Sequence, residues 1–91
     1  MMMRTRLAEF EAALAVAKHR NFRAAAAELG ISKATISGNI QALEAKIGVL
    51  LFHRTTRTVS LTSAGDAFIS RVSSSIADIV KAIVDAREQA G

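Results

Sequence analysis

The residues of this sequence that could do chemistry are short polar side chains and cations of the kind that contact nucleic acid. They are concentrated in the run SKATISG, at the start of a predicted helix. Because an α-helix fits the major groove of B-DNA, where base pairs present distinguishable edges, short side chains at its first turns permit base readout. For any single residue the alternative is an ordinary solvated helix surface. The residues of this surface are Ser32, Lys33, Ala34, Thr35, Ser37 and Gly38.

Each of these residue types has a defined chemistry toward DNA. The Lys33 ammonium can reach a guanine edge or a phosphate, and Ala34 and the Thr35 methyl can contact thymine methyl groups. Ser32, together with the free N–H groups of the helix start, can hold a phosphate. The sequence therefore predicts a helix that reads base pairs with its first turns.

Four further residues carry groups suited to the DNA backbone. Arg54 and Arg57 bracket a polar turn, and arginine suits both phosphates and the negative potential of a narrow minor groove. The alternative is a charged hairpin edge that prevents aggregation. Asn21 and Arg23 begin the preceding predicted helix, for which phosphate contacts are expected because such a helix crosses the DNA backbone. Helix capping alone would also explain Asn21.

The composition of the sequence argues against an enzyme or a metal site. The chain has no cysteine, and neither His19 nor His53 belongs to a group of residues that would make it catalytic. No glycine-rich phosphate loop and no carboxylate pair is present, so we predict no cofactor. The start MMMRTRL precedes no long apolar run, so we expect no signal peptide, no membrane span and a cytoplasmic location.

Charge is distributed unevenly along the chain. Residues 1–63 carry nine Lys or Arg against four Glu, a net charge of +5, whereas residues 64–91 carry three basic against four acidic residues, a net charge of −1. A basic region attracts polyanions, and this term supplies much of the affinity of proteins for DNA. Basicity alone is equally compatible with an inert solvated surface, so the pattern of residues must decide.

A helix-turn-helix is predicted to position these groups. Ala26, Gly30 and Ile36, at spacings of four and six, supply a small residue on one helix, a glycine at the turn and a branched apolar residue on the next helix. Apolar periodicity predicts three helices, over residues 5–19, 22–29 and, after a Ser32 cap, up to Ile47.

The first helix and the segment after the third complete the predicted head. The first helix is expected to keep Glu9 off its buried face, which consists of Leu7, Phe10, Leu14 and Ala17. Residues 50–62 place β-branched and aromatic residues around a polar centre, which predicts a small hairpin, or wing. We therefore predict a mainly α fold, a winged helix-turn-helix head over residues 1–62 with three helices and a two-stranded wing.

Residues 63–91 are predicted to form a long linker helix. Its apolar residues follow a heptad a/d register, which is typical of a helix–helix seam, so we predict that it forms a homodimer. The alternative is that the stripe packs on the core of its own chain, although it runs several turns beyond what a sixty-residue head can cover. The predicted seam residues are Ile69, Val72, Ile76, Ile79, Ile83 and Ala86.

The motif stretches are NFRAAAAELGIS, SKATISGNIQALEAKIG and LLFHRTTRTVSLTSAG. In these stretches, from about Leu7 to Ala86, the chain resembles the N-terminal DNA-binding domain of LysR-type bacterial transcriptional regulators. The resemblance implies a winged helix-turn-helix with a linker helix that pairs in a dimer. It implies that Ser32, Lys33, Ala34, Thr35, Ser37 and Gly38 lie at the major groove and that Arg54 and Arg57 serve the wing.

The resemblance also implies partners. The family typically binds interrupted inverted repeats in double-stranded DNA near promoters, as dimers or dimers of dimers. Its members carry a larger C-terminal domain that binds a small-molecule effector. Nothing after Gly91 could form such a domain, so we expect the effector-binding domain to be absent, and an effector only if a C-terminal domain exists.

Four positions depart from the family pattern. Lys33-Ala34 stand where Gln-Pro is frequent, Gly38 stands where Arg or His is frequent, and Asn39 stands where Gln is frequent. We expect Lys33 and Thr35 to read bases, and Gly38 to permit close approach to DNA rather than to supply a contact. The rival hypothesis is a winged-helix protein–protein interaction module whose basic face is incidental.

Overall fold

The computed structural model describes residues 5–90, and this part of the chain forms four helices and a two-stranded antiparallel sheet. The arrangement confirms the predicted mainly α winged helix-turn-helix followed by a long helix. Residues 1–4 and 91, which the predicted division of the chain includes, lie outside the described residues. The elements are α1 (Leu7–His19), α2 (Phe22–Leu29), α3 (Lys33–Ile47), β1 (Phe52–Arg54), β2 (Val59–Leu61) and α4 (Ser63–Ala90).

The turns between the head helices are made by the residues predicted for them. The Asn21 side chain accepts a hydrogen bond from the backbone N–H of Ala24 at 2.8 Å. Ser32 Oγ accepts one from the backbone N–H of Thr35 at 3.0 Å. Both bonds satisfy N–H groups that have no partner within their own helix. Gly30 ends α2 with a φ of 68°, a left-handed conformation that glycine adopts without a Cβ clash.

The three head helices enclose one apolar core. Ile36 and Ile40 of α3 are fully buried, and Ala26 of α2, the small residue of the predicted motif, is 4% exposed. Small side chains on α1 and α2 let the helix backbones approach closely, so the isoleucines of α3 fill the space between them. The other buried core residues are Ala12, Ala13, Ala15, Val16, Phe22, Ala25, Leu43, Leu51 and Phe52.

α1 differs from the prediction in its start and in its buried face. The helix begins at Leu7 rather than Thr5, after an extended Arg6. The prediction that Glu9 lies off the buried face was wrong: Glu9 is 5% exposed, and Lys46 Nζ donates to both carboxylate oxygens at 2.8 Å. Burial of this carboxylate is tolerated because a cation and hydrogen bonds compensate it.

Two of the apolar residues predicted for the buried face of α1, Leu7 and Phe10, lie beside α4. Phe10 is half-buried and its ring stacks on Phe68 of α4, with centroids 6.3 Å apart, while Leu7 is 47% exposed. The alanines of α1 fill the centre of the head instead. α1 thus packs against other elements on two sides, whereas the sequence predicted a single apolar face.

The wing connects directly to the start of α4. Thr62 Oγ1 accepts a hydrogen bond from the N–H of Gly65 and donates one to the carbonyl of Leu50, both at 2.8 Å. A Cβ at Gly65 would collide with the backbone of Leu51, so only glycine lets α4 cross this close to the strand. The register of the wing pairs Phe52 with Leu61, His53 with Ser60 and Arg54 with Val59.

Two kinds of feature are absent from residues 5–90. None of their helices combines the length and the hydrophobicity needed to cross a membrane. Within the same residues, no three His, Cys, Asp or Glu side chains are grouped so that they could hold a metal ion.

Candidate nucleic-acid interface

The start of α3 is exposed, with its inner side anchored in the core. Lys33, Ala34 and Thr35 are exposed, whereas the following Ile36 is fully buried and holds the helix in place. The Ser32 hydroxyl donates to Thr35 Oγ1 at 2.9 Å, so the Thr35 hydroxyl keeps its own hydrogen for an outside acceptor. This surface offers hydrogen-bonding groups that are already oriented by the helix cap.

The two remaining predicted residues of α3 differ in exposure. Ser37 is half-buried, and Gly38 is exposed. A Cβ built at Gly38 meets no atom within 4 Å, so no neighbouring group in the described chain requires glycine there. The reason for this glycine therefore lies outside the packing of the described chain.

A basic cleft lies between the α1–α2 turn, the start of α3 and the wing, with a volume of about 260 Å³. It brings together four predicted DNA-binding residues, Asn21, Arg23, Lys33 and Arg57. The remaining predicted residues, Ser32, Ala34, Thr35, Ser37, Gly38 and Arg54, do not line it.

Arg20 also lines the basic cleft, and sequence reasoning missed it. It follows the last residue of α1 with a φ of 51°, and its N–H donates to the carbonyl of Val16 at 2.7 Å. Its position directly before the predicted cap Asn21 was the available clue, because both residues belong to the turn between α1 and α2 and both line the basic cleft.

The two wing arginines have different surroundings. Arg54 ends β1, with its guanidinium carbon 4.5 Å from the centroid of the Phe22 ring and Nη2 3.7 Å from Glu44 Oε1. Arg57 is exposed in the turn, and only its backbone is held there, through an N–H bond to Thr55 Oγ1 at 3.2 Å. Arg54 therefore joins the wing to the head, while the side chain of Arg57 faces the basic cleft.

Glu44, a second residue that sequence reasoning missed, sets the position of the wing. Its carboxylate is 8% exposed and accepts hydrogen bonds from the backbone N–H groups of Leu51 at 2.7 Å and Phe52 at 3.3 Å. Glu44 follows the buried Ile40 by four residues, a helical spacing that could have identified it as inward-facing. α3 and the wing are thus connected through one buried carboxylate.

Threonines close the tip of the wing. Thr55 and Thr58 pair through a backbone hydrogen bond of 2.9 Å, and their hydroxyls lie 2.9 Å apart. Thr55 Oγ1 also accepts from the N–H of Thr58 at 2.9 Å. Hydroxyl bonds of this local kind mimic a backbone turn, and they hold Arg57 at the cleft without an Asn-Gly sequence.

The predicted seam of α4 divides into two parts. Ile69 is half-buried and packs against the head core, so this position is partly occupied by the residue's own chain. Val72 and Ile76 are half-buried and line a groove of about 390 Å³ that also contains Leu7 and Phe10 of α1. The head therefore partly covers the first turns of α4. At this end of the helix, the alternative that the stripe packs on its own chain is the one that applies.

Beyond Ile76 the apolar side chains of α4 are uncovered. Ile79 is 45% exposed and Ile83 is 53% exposed, and Ala86 is exposed as well. Val80 and Val84, which the heptad register omits, are 53% and 40% exposed. The uncovered part of the stripe is broader than a strict a/d seam.

This geometry defines a class of protein. A helix seated across a second helix, with a short polar surface at its start and an arginine-bearing hairpin beside it, is a winged helix-turn-helix, which is a DNA-binding domain. The family model of bacterial regulatory helix-turn-helix proteins of the LysR family matches residues 7–66. The chain therefore belongs to the LysR family, whose members are transcriptional regulators.

Individual relatives agree with this assignment. The chain is 46% identical over 70 residues to an uncharacterized HTH-type transcriptional regulator, YcaN, of Escherichia coli strain K12, covering 77% of this chain. It is 45% identical over 73 residues to a probable hydrogen peroxide-inducible genes activator of Streptomyces viridosporus, covering 80% of this chain. In both comparisons the chain spans 23% of the relative's length.

A solved structure agrees as well. The fold matches the DNA-binding domain of CbnR, crystallised as a complex with DNA, with a TM-score of 0.83 and 34% sequence identity. The match covers 91% of this chain and 95% of that chain.

Proposed function

We propose that α3 lies in the major groove of duplex DNA, that the wing contacts the adjacent minor groove or the backbone, and that two copies of the chain bind together. Sequence-specific DNA binding by a transcriptional regulator is the function that family membership supports. The observation that carries the residue-level proposal is the exposed start of α3 beside the basic cleft.

Base readout is assigned to the exposed start of α3. Lys33 supplies a cation for a guanine edge or a phosphate, and Thr35 supplies a hydroxyl hydrogen and a methyl group. Ser37 and Ala34 line the same approach, and Gly38 lets the helix lie close to the base pairs because it adds no side chain there. Arg54 contributes at the base of the wing, where Glu44 and Phe22 fix its position.

Selection of bound duplexes from a random DNA pool tests this function. We expect an enriched half-site, which Thr35→Ala binds about fivefold more weakly while random duplex is bound as before; this estimate corresponds to roughly 1 kcal/mol of discrimination. Ser74→Ala, which removes an exposed hydroxyl from α4, serves as the matched control. Equal losses on selected and random duplexes would contradict base readout by Thr35.

A titration with random duplex at two salt concentrations separates the rival function. Binding that weakens steeply with salt is the expected result, since phosphate contacts release counterions. Absence of duplex binding at both concentrations would favour the protein–protein interaction module instead.

Dimerisation is assigned to the uncovered end of α4. Ile79, Val80, Ile83 and Val84 are large apolar side chains with 40–53% of their surface exposed, and a second copy of α4 would bury them. A two-fold pairing would place two α3 helices on the two half-sites of an interrupted inverted repeat near a promoter. The cytoplasm is the proposed location of this binding. Assembly as a dimer of dimers, and response to a small-molecule effector, would belong to a protein of the relatives' full length.

Light scattering of a double variant tests the pairing. Replacement of Ile79 and Ile83 by Glu places two carboxylates in the proposed seam, and we expect a monomer that occupies single half-sites. Lys81→Glu, on a different side of the helix, is the control and leaves the dimer intact. A dimer that persists in the double variant would place the seam elsewhere.

A further inference from the structure

The basic cleft contains more cations than readout of bases requires. Arg20 and Arg23 come from the α1–α2 turn and α2, Lys33 from the start of α3, and Arg57 from the wing. No acidic side chain is among the described residues that line it. Four like charges from four places in the chain repel one another unless an anion lies between them.

We propose that the basic cleft holds one phosphodiester group of the DNA backbone, and that Arg20 contacts it together with Arg57. This inference rests on the proposed function, because it places α3 in the major groove and the wing in the neighbouring minor groove. A single sugar–phosphate strand separates two neighbouring grooves. That strand must pass between α3 and the wing, which is where the basic cleft lies.

The backbone conformation of Arg20 favours glycine, which indicates that the arginine side chain has a function of its own at this position. Among residues 5–90, Arg20 is the only residue other than glycine with a positive φ. The chain ends α2 and α3 with Gly30 and Gly48 in the same left-handed conformation, which glycine adopts without strain. An arginine in this place is less favourable for the turn, so a function of the guanidinium accounts for it.

The polar groups around the cations suit a phosphate as well. The Asn21 Oδ1 atom accepts the capping bond from α2, which leaves the side-chain NH₂ free to donate to an anion. A volume of about 260 Å³ is several times the roughly 30 Å³ that one water molecule occupies in the liquid. The basic cleft therefore has room for a phosphodiester group and water that bridges it to the cations.

The test combines a variant of Arg20 with neutral backbone positions in the DNA. In the duplex recovered from the random pool, single phosphates are replaced in turn by uncharged methylphosphonates, and affinity is measured for each duplex. Arg20→Gly retains the left-handed turn, Arg57→Ala removes the cation from the wing, and Arg87→Ala, at the end of α4, is the charge-matched control. Thermal unfolding of each variant shows that it is folded.

We expect Arg20→Gly to unfold at or above the wild-type temperature and to bind the native duplex roughly tenfold more weakly, as for loss of one charge-assisted hydrogen bond. One methylphosphonate should weaken binding by wild type and by Arg87→Ala alike, and it should cause a smaller loss in Arg20→Gly and in Arg57→Ala, since each of these variants retains only one of the two arginines. Native-duplex binding by Arg20→Gly at wild-type strength would overturn the inference. So would full sensitivity of that variant at every phosphate. Failure of wild type to bind any duplex would instead refute the proposed function itself.

Discussion

Seven cations of the head fall into two groups, those with an acidic partner and those that line the basic cleft. Lys46 and Arg54 pair with the buried carboxylates of Glu9 and Glu44, and Lys18 pairs with Glu28. Within residues 5–90 the cations that line the basic cleft, Arg20, Arg23, Lys33 and Arg57, have no acidic side chain within 4.0 Å. One group joins secondary-structure elements, and the other is available to a ligand.

The difference shows how a small basic domain can be both stable and able to bind a polyanion. A paired cation contributes to the fold and attracts a ligand less strongly, since its acid partner partly neutralises it. An unpaired cation adds repulsion to the free protein and attraction to DNA. Glu9, Glu28 and Glu44 connect elements of the head and none of them lines the basic cleft, so the two effects do not interfere.

The largest effect is expected for loss of the carboxylate that joins α3 to the wing. Glu44→Ala leaves two backbone N–H groups and a cation without their buried partner, and we expect a loss of about 3 kcal/mol of unfolding free energy. For a domain of this size that corresponds to a decrease of about 15 °C in the unfolding temperature. Thermal unfolding followed by circular dichroism at one protein concentration measures it.

Two further variants sharpen this result. Glu44→Gln retains one acceptor oxygen, so it should lose less than half as much stability as Glu44→Ala. Glu11→Ala removes an exposed carboxylate from α1 and should change the unfolding free energy by at most about 0.5 kcal/mol. If Glu44→Ala were no more damaging than Glu11→Ala, the paired cations could not be said to hold the head together.

The two wing arginines give the most direct test of the division into paired and unpaired cations. Arg54→Ala removes an ion pair and a cation–π contact, and we expect a loss of about 1–2 kcal/mol of stability. Arg57→Ala should leave stability within about 0.5 kcal/mol of wild type, since its side chain has no acidic partner. It should nevertheless weaken binding to selected and random duplex alike and lower the salt slope by about 1.

The crossed design provides its own control, because each arginine is the same residue type three positions from the other. Unfolding measured without DNA and binding measured at each of two salt concentrations give three values for each variant. If Arg57→Ala destabilised the free domain as much as Arg54→Ala, the division into paired and unpaired cations would not hold.

Sequence reasoning predicted the fold well because its elements depend on local spacing. The Ala26, Gly30 and Ile36 pattern and the Asn21 and Ser32 caps depend on residues within a few positions of each other. Arg20 and Glu9 were missed because their roles arise from elements that are distant in sequence. The pairing of Glu9 with Lys46 spans 37 residues, and a helical pattern in α1 does not contain it.

α4 shows a second limit of reasoning from local sequence patterns. A heptad register correctly identifies an apolar stripe, but it cannot say which neighbour covers each turn. The head half-covers Ile69, Val72 and Ile76, since the crossing at Gly65 brings the start of α4 against the wing and α1. The apolar surface proposed for pairing with a second copy therefore begins near Ile79 and includes Val80, which lies outside the register.

The smallest effect is expected for the exposed pairs of Glu28 with Lys18 and His19, which test whether an exposed ion pair contributes to stability at all. Hydrogen bonds from His19, at 2.8 Å, and then from Lys18, at 3.0 Å, hold the pKa of Glu28 below its ordinary value of 4.5. A carboxyl whose pKa is lowered by folding stabilises the protein above its unfolded pKa, and that stability is lost as pH falls through the folded pKa.

Glu28→Gln should therefore be slightly less stable than wild type at pH 7, and the difference should shrink below about pH 4.5 and then vanish. Because the pair is exposed, the change should be smaller than that of any paired-cation variant above. Parallel urea unfolding of both proteins from pH 7 to pH 3 measures it. A difference that stays constant over this range would mean that ionised Glu28 contributes nothing. Exposed ion pairs would then add no measurable stability. The cations that stabilise the head would be only those paired with the buried carboxylates of Glu9 and Glu44.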